Sequence, residues 1–256
     1  MRTIYLLILA IAALSSLVNS KPVVAREVQA IQTAHHAAII ASKEASDARL
    51  FPGYNIHTYT WTFDIHPGAA NNTASFKGTI EHAMAQMEEI YPGWRKEYDE
   101  HYAKNPIQKR GREDREEYWN KEWDCDNGDA ASPQRHWLLA FQPDIKTSID
   151  YLHRQRGPTI SPPNHCSRIS CSRFGSAVFL CNHDPLELHL QDWTRVTDGA
   201  EFINRKCVAE IFMGLKSVKG QVTHNCDSRP LLPGQDRFGC PHESWSVEIH
   251  AINEKC

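Results

Sequence analysis

Two pairs of neighbouring residues, His183–Asp184 and His242–Glu243, carry the side chains that acid–base chemistry requires. A histidine and a carboxylate acting together can catalyse hydrolysis by general acid–base transfer, as they do in secreted nucleases. Each pair also follows closely on a cysteine, in a segment whose composition predicts a loop. Consecutive residues usually point in different directions, however, so adjacency alone does not predict a working pair. We therefore assign no catalytic residue from the sequence.

The motifs of the common hydrolases and nucleotide-binding enzymes are absent from the sequence. It contains no G-x-S-x-G, no H-E-x-x-H, no phosphate-binding glycine loop and no dinucleotide fingerprint. Zinc is not expected either, because no C-x2-C pair has a partner pair at zinc-finger spacing. The sequence thus predicts no cofactor and no metal, and it favours a non-enzymatic protein over a hydrolase.

The chain has eight cysteines, and their distribution is uneven. They are Cys125, Cys166, Cys171, Cys181, Cys207, Cys226, Cys240 and Cys256. An even number of cysteines in an exported chain indicates disulfides, whose connectivity the sequence leaves open. With every cysteine paired, a cysteine nucleophile is not expected. We predict that the C-terminal half is stapled by disulfides, whereas residues 21–124 depend on packing.

The N-terminus has the pattern of a secretory signal peptide. Arg2 precedes an apolar run from Ile4 to Leu14, and small residues lead to a cleavage site after Ser20. The run is shorter than the ~20 apolar residues that a membrane-spanning helix needs. Residues 1–20 are therefore predicted to be a signal peptide. The mature protein is predicted to be secreted and extracellular, without a transmembrane segment.

The net charge of −3 bears on the partners of the protein. A mildly acidic chain creates no overall positive field, so nucleic acid is not an expected partner. We expect a monomer that binds an extracellular or host protein, or a glycan, of unknown identity.

The cysteine-free half begins with an alanine-rich segment, residues 21–50, whose apolar spacing predicts a helix. This segment is either a mature N-terminal helix or a pro-region that is removed, and the sequence does not distinguish between these two alternatives. Residues 57–65 then alternate between aromatic or aliphatic and polar side chains, which predicts a strand with one aromatic face. Such a face can bind sugar when exposed, although packing in a core is its commoner use.

Further signals follow in the region 51–157, which we treat as a cysteine-poor α+β region. Asn71 begins an N-x-T sequon and is a predicted glycosylation site. A helix is predicted from Ser75 to Ile90, and another follows Trp137–Phe141, a short predicted buried strand. Lys109–Arg110 is a dibasic pair of the type that secretory-pathway proteases cut, and its processing is left open.

The proline-rich stretch 158–163 is the best candidate for a linker, and residues 158–256 form a predicted cysteine-rich α+β module. Two strands joined across residues 173–176 predict a hairpin. Asp198 and Glu201 have the spacing of a capping box that would open a helix ending at Cys207. Two further strands are predicted at 220–223 and 245–249. The predicted fold class is α+β, an antiparallel sheet with helices packed on one face.

The second half of the chain carries an ordered series of short patterns. They are Ile149–Leu152, Pro158–Thr159, Cys166–Ser172, Ser176–Asn182, Cys207, Val218–Gln221, Trp245–Ile249 and the terminal Cys256. Residues 145–256 resemble, through this series, small secreted cysteine-rich proteins of filamentous fungi, many of them candidate effectors. The helix closing on a cysteine, followed by Gly-Gln and a strand, is also similar to the end of KP4-type killer toxins. An insertion from Asn225 to Pro241 departs from both patterns and adds Cys226 and Cys240.

The resemblance implies a secreted, effector-like or virulence-associated protein that acts by binding outside the producing cell. Two alternatives stay open: a secreted hydrolase that uses histidine and carboxylate, and a killer-toxin-like blocker of a membrane channel. Growth inhibition of sensitive cells by the purified protein would favour the toxin.

Overall fold

The computed structural model describes residues 22–69, 72–107, 123–125, 138–225 and 244–252. Contacts between residues divide the chain into two units, Met1–Lys43 and Glu44–Cys256. The described part of the first unit is helical throughout. The second unit contains the last turns of that helix and all the strands described below.

The described residues form five α-helices and thirteen strands. The helices are α1 (Pro22–Leu50), α2 (Ile80–Ile90), α3 (Trp94–Lys104), α4 (Gln142–His153) and α5 (Thr194–Lys206). The strands before α4 are β1 (Asn55–Ile56), β2 (Thr60–Asp64), β3 (Thr73–Lys77), β4 (Trp123–Asp124) and β5 (Ala140–Phe141). The later strands are β6 (Thr159–Ser161), β7 (His165–Cys171), β8 (Ser176–Asn182), β9 (Leu188–Leu190), β10 (Val208–Glu210), β11 (Lys216–Val218), β12 (Gly220–Asn225) and β13 (Ser244–Ala251).

Six strands form the main sheet, in the order β1-β7-β8-β13-β12-β4. Strand β1 runs parallel to β7, and the other neighbours are antiparallel. Three smaller sheets complete the strands: β10-β11-β5, the β2–β3 hairpin and the β6–β9 pair. Helices and mixed sheets together confirm the predicted α+β class.

The two faces of the main sheet have different chemistry, because side chains alternate along a strand. On β13, Trp245, Val247 and Ile249 are buried in the main hydrophobic core. Helices α2, α4 and α5 pack on this side, against β7, β8 and β12–β13 respectively. The intervening residues of β13, which include Ser246 and Glu248, project from the opposite face, called here the polar face. This face also carries a second, smaller apolar cluster, which includes Phe51, Phe179 and Cys181.

The carboxylate of Glu81 joins three elements behind the sheet. Glu81 lies in the first turn of α2 and accepts hydrogen bonds from the hydroxyl of Ser148 on α4 at 3.1 Å and from the backbone N–H of Cys171 on β7 at 2.8 Å. The hydroxyl of Ser170 donates a further bond to the same carboxylate. Burial raises the pKa of Glu81 above its ordinary value of 4.5, although these hydrogen bonds act to lower it.

Several predicted elements are confirmed by the structure. The segment 22–50 is a helix, the β7–β8 hairpin lies where two strands were expected, and β12 and β13 contain the last two predicted strands. The aromatic face of the predicted strand 57–65 is buried: Tyr59, Trp61 and Phe63 are each at most 6 % exposed. Packing in the core, and not an exposed sugar-binding face, is the use of these side chains.

Other predicted elements are wrong in their extent. Phe76, expected on a helix, lies in β3 and pairs with Trp61, because the hairpin buries this aromatic face before α2 starts at Ile80. Among the described residues of the predicted strand 137–141, only Ala140–Phe141 form a strand, and Leu138 and Leu139 are exposed. Trp137 lies outside the described residues. The expected linker 158–163 contains β6, which pairs with β9.

The expected capping box of α5 is also wrong. Helix α5 begins at Thr194, four residues before Asp198, and the backbone N–H of Thr194 donates to the carboxylate of Asp192 at 2.8 Å. Asp198 is therefore inside the helix, where it is buried, and Glu201 contacts α4.

None of the described helices combines the length and the apolar character that are needed to cross a bilayer. Two disulfides are described, Cys125–Cys207 and Cys166–Cys181. Cys171 is disulfide-bonded as well. Cys226, Cys240 and Cys256 lie outside the described residues.

Candidate functional site

The polar face of the main sheet carries many side chains that can form hydrogen bonds or exchange protons. Residues that pair across neighbouring strands project from the same side, so the register places them in rows. One row, from β7 to β4, is Arg168, Phe179, Glu248, Gln221 and Asp124. The next row is Cys166, Cys181, Ser246 and Thr223, in which the first two residues form a disulfide.

A chain of hydrogen bonds runs through this face. Nδ1 of His183 lies 2.7 Å from the hydroxyl of Tyr54, and Nε2 lies 2.8 Å from the hydroxyl of Ser246. Ser246 in turn donates to a carboxylate oxygen of Glu248 at 3.4 Å. Ser246 and Glu248 are both fully buried, whereas Tyr54 and His183 are half-buried.

The direction of these bonds follows from the inventory of donors and acceptors. In the tautomer in which Nε2 of His183 carries the hydrogen, Nε2 donates to the serine oxygen and leaves the hydroxyl hydrogen of Ser246 for Glu248. In a neutral imidazole Nδ1 is then the acceptor, and it receives the hydroxyl hydrogen of Tyr54. The chain can relay a proton from the half-buried tyrosine to the buried carboxylate.

The segment Glu44–Tyr54, called here the cover segment, lies over part of the polar face. Its Asp47 forms an ion pair with Arg168, and Phe51 packs against Phe179. At its start, Glu44 accepts a hydrogen bond from the hydroxyl of Thr58 at 2.5 Å. The cover segment belongs to the same unit as the sheet.

A second histidine–carboxylate contact lies between α4 and α5. Nε2 of His153 is 3.0 Å from a carboxylate oxygen of Glu201, and Nδ1 is 3.1 Å from the hydroxyl of Thr197. The side chains of His153 and Glu201 are only 6 % and 17 % exposed. This contact joins two core helices.

The two histidine–carboxylate pairs of the sequence have different outcomes. His183 joins the chain on the polar face, whereas the carboxylate of its neighbour Asp184 accepts the backbone N–H of Leu186 at 2.8 Å. The two neighbours thus have separate roles, as expected for consecutive residues that point in different directions. His242 and Glu243 lie outside the described residues, as do the predicted glycosylation site Asn71 and the dibasic pair Lys109–Arg110.

Sequence reasoning missed the partners of His183 and the pair Asp47–Arg168, whose residues are 121 positions apart. Neither contact has a local signal, because each joins residues that are far apart in the sequence and meet only in the folded protein. Within the described residues, no group of three or more histidine, cysteine, aspartate or glutamate side chains is arranged to hold a metal ion.

Comparisons of the chain with protein-family models, with curated protein sequences and with solved structures find no match.

Proposed function

We propose that the protein is secreted and acts outside the producing cell by binding, as an effector-like or virulence-associated factor. The signal-peptide pattern of residues 1–20 supports export. The two disulfides and the absence of a membrane-spanning helix among the described residues are compatible with an extracellular location.

One observation carries the proposal that the protein acts by binding. The described pair His153–Glu201 is buried between two helices, where it stabilises the packing of α4 against α5. The polar face, in contrast, has a closely spaced set of charged and aromatic side chains, which include Arg168, Phe179 and His250. All three are buried in contact with Asp47 or Phe51 of the cover segment. Such a set can recognise a ligand by charge and by ring packing.

The test of this function uses the purified mature protein. Fluorescently labelled protein is expected to bind intact plant or animal cells saturably, and excess unlabelled protein should compete with it. A reduced and alkylated sample of the same chain is the control for adsorption of unfolded protein. Binding that is neither saturable nor competed would refute the proposal.

A second candidate function, acid–base hydrolysis, is favoured by the hydrogen-bonded chain Tyr54–His183–Ser246–Glu248. It predicts that the purified protein hydrolyses RNA, glycans or esters at a rate that His183→Ala abolishes. His189→Ala is the matched control, because the side chain of His189 is 62 % exposed and lies outside the chain of hydrogen bonds. Hydrolysis with this dependence would replace binding as the function.

A further inference from the structure

The ion pair between Asp47 and Arg168 is the most buried one described in the structure. Its two side chains are 5 % and 2 % exposed, and one carboxylate oxygen of Asp47 accepts bonds from both Nε, at 2.9 Å, and Nη2 of Arg168. A buried guanidinium requires a negative partner, because an uncompensated charge inside a protein is very unfavourable. The position occupied by Asp47 is therefore an anion-binding position.

An aromatic side chain accompanies this carboxylate. Phe51 follows Asp47 by four residues, and its backbone N–H donates to the carbonyl of Asp47 at 2.9 Å, so both side chains lie on the same side of the turn. The ring of Phe51 packs 5.0 Å from that of Phe179 and 6.1 Å from that of His250. These two rings stack on each other at 4.6 Å.

The cover segment thus presents a carboxylate and a flat ring, side by side, to an arginine and a stacked pair of rings. The same surface matches a small molecule that combines an anionic group with a flat ring. An arginine side chain suits a phosphate in particular, since its planar fork can donate two parallel hydrogen bonds to phosphate oxygens.

We infer that Arg168, Phe179 and His250 form a binding site for a small phosphate ester that carries a flat aromatic ring, as a mononucleotide does. In the full chain Asp47 and Phe51 occupy this site. The inference rests on the proposed function, that the protein acts by binding, and it names the ligand class and the place. A small ligand fits better than a polyanion, because the chain has a net charge of −3.

The position of the cover segment is consistent with a removable pro-region. Asp47 is in the last turns of α1, and Pro52 and Gly53 form an exposed turn directly after Phe51. Cleavage of the chain in this turn would separate both occupying side chains from the sheet, while Tyr54 would remain next to His183. The sequence left open whether residues 21–50 are a pro-region. Cleavage after residue 52 would make the removed segment about one turn longer than that pro-region.

The test uses thermal unfolding of full-length variants in matched ionic strength. Asp47→Ala leaves Arg168 without its carboxylate, and we expect a lower Tm that sodium phosphate raises by about 3 °C or more relative to sodium chloride. Adenosine monophosphate should raise the Tm of Asp47→Ala/Phe51→Ala further than phosphate does. The reason is that its adenine ring can pack against Phe179 and His250 in the space that Phe51 occupied. The wild-type chain should show neither shift.

The control variant is Asp47→Ala/Arg168→Gln, in which the phosphate-specific shift should vanish. Asp47→Asn, which keeps the size of the side chain, replaces Asp47→Ala if the latter does not fold. Equal Tm shifts in the wild type and all variants, or no phosphate-specific shift in Asp47→Ala or its replacement Asp47→Asn, would overturn the site. The cell-binding assay uses the intact chain, so failure of that assay removes the proposed function, whereas failure of the phosphate shift removes the site alone.

Discussion

At the scale of single residues, the fold uses polar groups that are costly to bury. Glu81, Arg168 and Glu248 are each placed among protein atoms, and each has hydrogen-bonding or ionic contacts that offset the loss of water. Such contacts make the stability of the protein depend on pH and on single hydroxyl groups.

The buried carboxylate of Glu81 leads to a prediction about pH. Because its pKa is raised in the folded state, the folded protein binds a proton more readily than the unfolded chain. Its contribution is fully present below pH 4.5, the ordinary value, and is lost as the pH rises through the folded pKa. Glu81→Gln should abolish this loss, so that the difference in the free energy of unfolding between variant and wild type grows in favour of the variant as the pH rises. Urea unfolding from pH 4 to pH 8 measures this difference. If the free energies of unfolding of both proteins changed in parallel with pH, the pH dependence would not come from Glu81.

The chain through His183 leads to a prediction about coupling. Tyr54→Phe removes the donor to Nδ1 of His183 and should lower the free energy of unfolding by about 1–2 kcal/mol. Ser246→Ala removes the partner of Nε2 at the other end. Because both act through one imidazole, the double variant should differ from the sum of the single variants by about 0.5 kcal/mol or more. Strict additivity in urea unfolding would show that the bonds are independent.

At the scale of elements, the two described disulfides fix different parts of the second unit. Cys166–Cys181 joins the adjacent strands β7 and β8, with a sequence separation of 15. Cys125–Cys207 joins the residue after β4 to the residue after α5, with a separation of 82. The second bridge closes the longer loop and therefore restricts the unfolded chain more.

The two disulfides should accordingly differ in their contribution to stability. Replacing Cys125 and Cys207 by alanine should cost about 1.5 kcal/mol more than replacing Cys166 and Cys181, according to the loop-entropy relation. Chemical unfolding of the two double variants under non-reducing conditions measures the difference. An equal cost, or the reverse order, would show that native packing around the bridges outweighs loop closure.

At the scale of the whole molecule, the cysteine-poor region 51–157 and the cysteine-rich region 158–256 share one hydrophobic core. Trp61, Trp94 and Tyr98 from the first region lie in the same cluster as Leu180 and Trp245 from the second. The boundary that the contacts define falls earlier, between Lys43 and Glu44. The regions 51–157 and 158–256 describe where cysteines occur along the sequence, and both contribute to the second unit.

This boundary predicts how the protein tolerates truncation. A chain that begins at Glu44 keeps Asp47 and Phe51, so its Tm should stay within about 2 °C of that of a chain that begins at Lys21. A chain that begins at Tyr54 loses the partner of Arg168, and its Tm should fall by about 5 °C or more. Differential scanning calorimetry of both chains measures the effect. A large loss in the first chain would place the boundary of the folded unit before residue 44.

The sequence by itself determined the local elements and the disulfide chemistry of the chain. Alternating side chains predicted the buried aromatic strand, the apolar spacing predicted α1 and α4, and the even number of cysteines predicted the disulfides, because each signal depends on periodicity or residue type. At Phe76 the predicted limit was wrong because pairing with Trp61 places this residue in a strand. At Asp198 the predicted limit was wrong because α5 already begins at Thr194, where the carboxylate of Asp192 accepts the backbone N–H of Thr194.

Only the tertiary structure decided which residues form the polar face. Arg168 meets Asp47, and His183 meets both Tyr54 and Ser246, across separations of up to 129 positions. The alternation of strands β7, β8 and β13 specifies which side chains leave the core, but their pairing register places those side chains next to one another. His183 and Asp184 are adjacent in the sequence but have different hydrogen-bond partners in the fold. The partners of His183 come from strand β13 and from the cover segment.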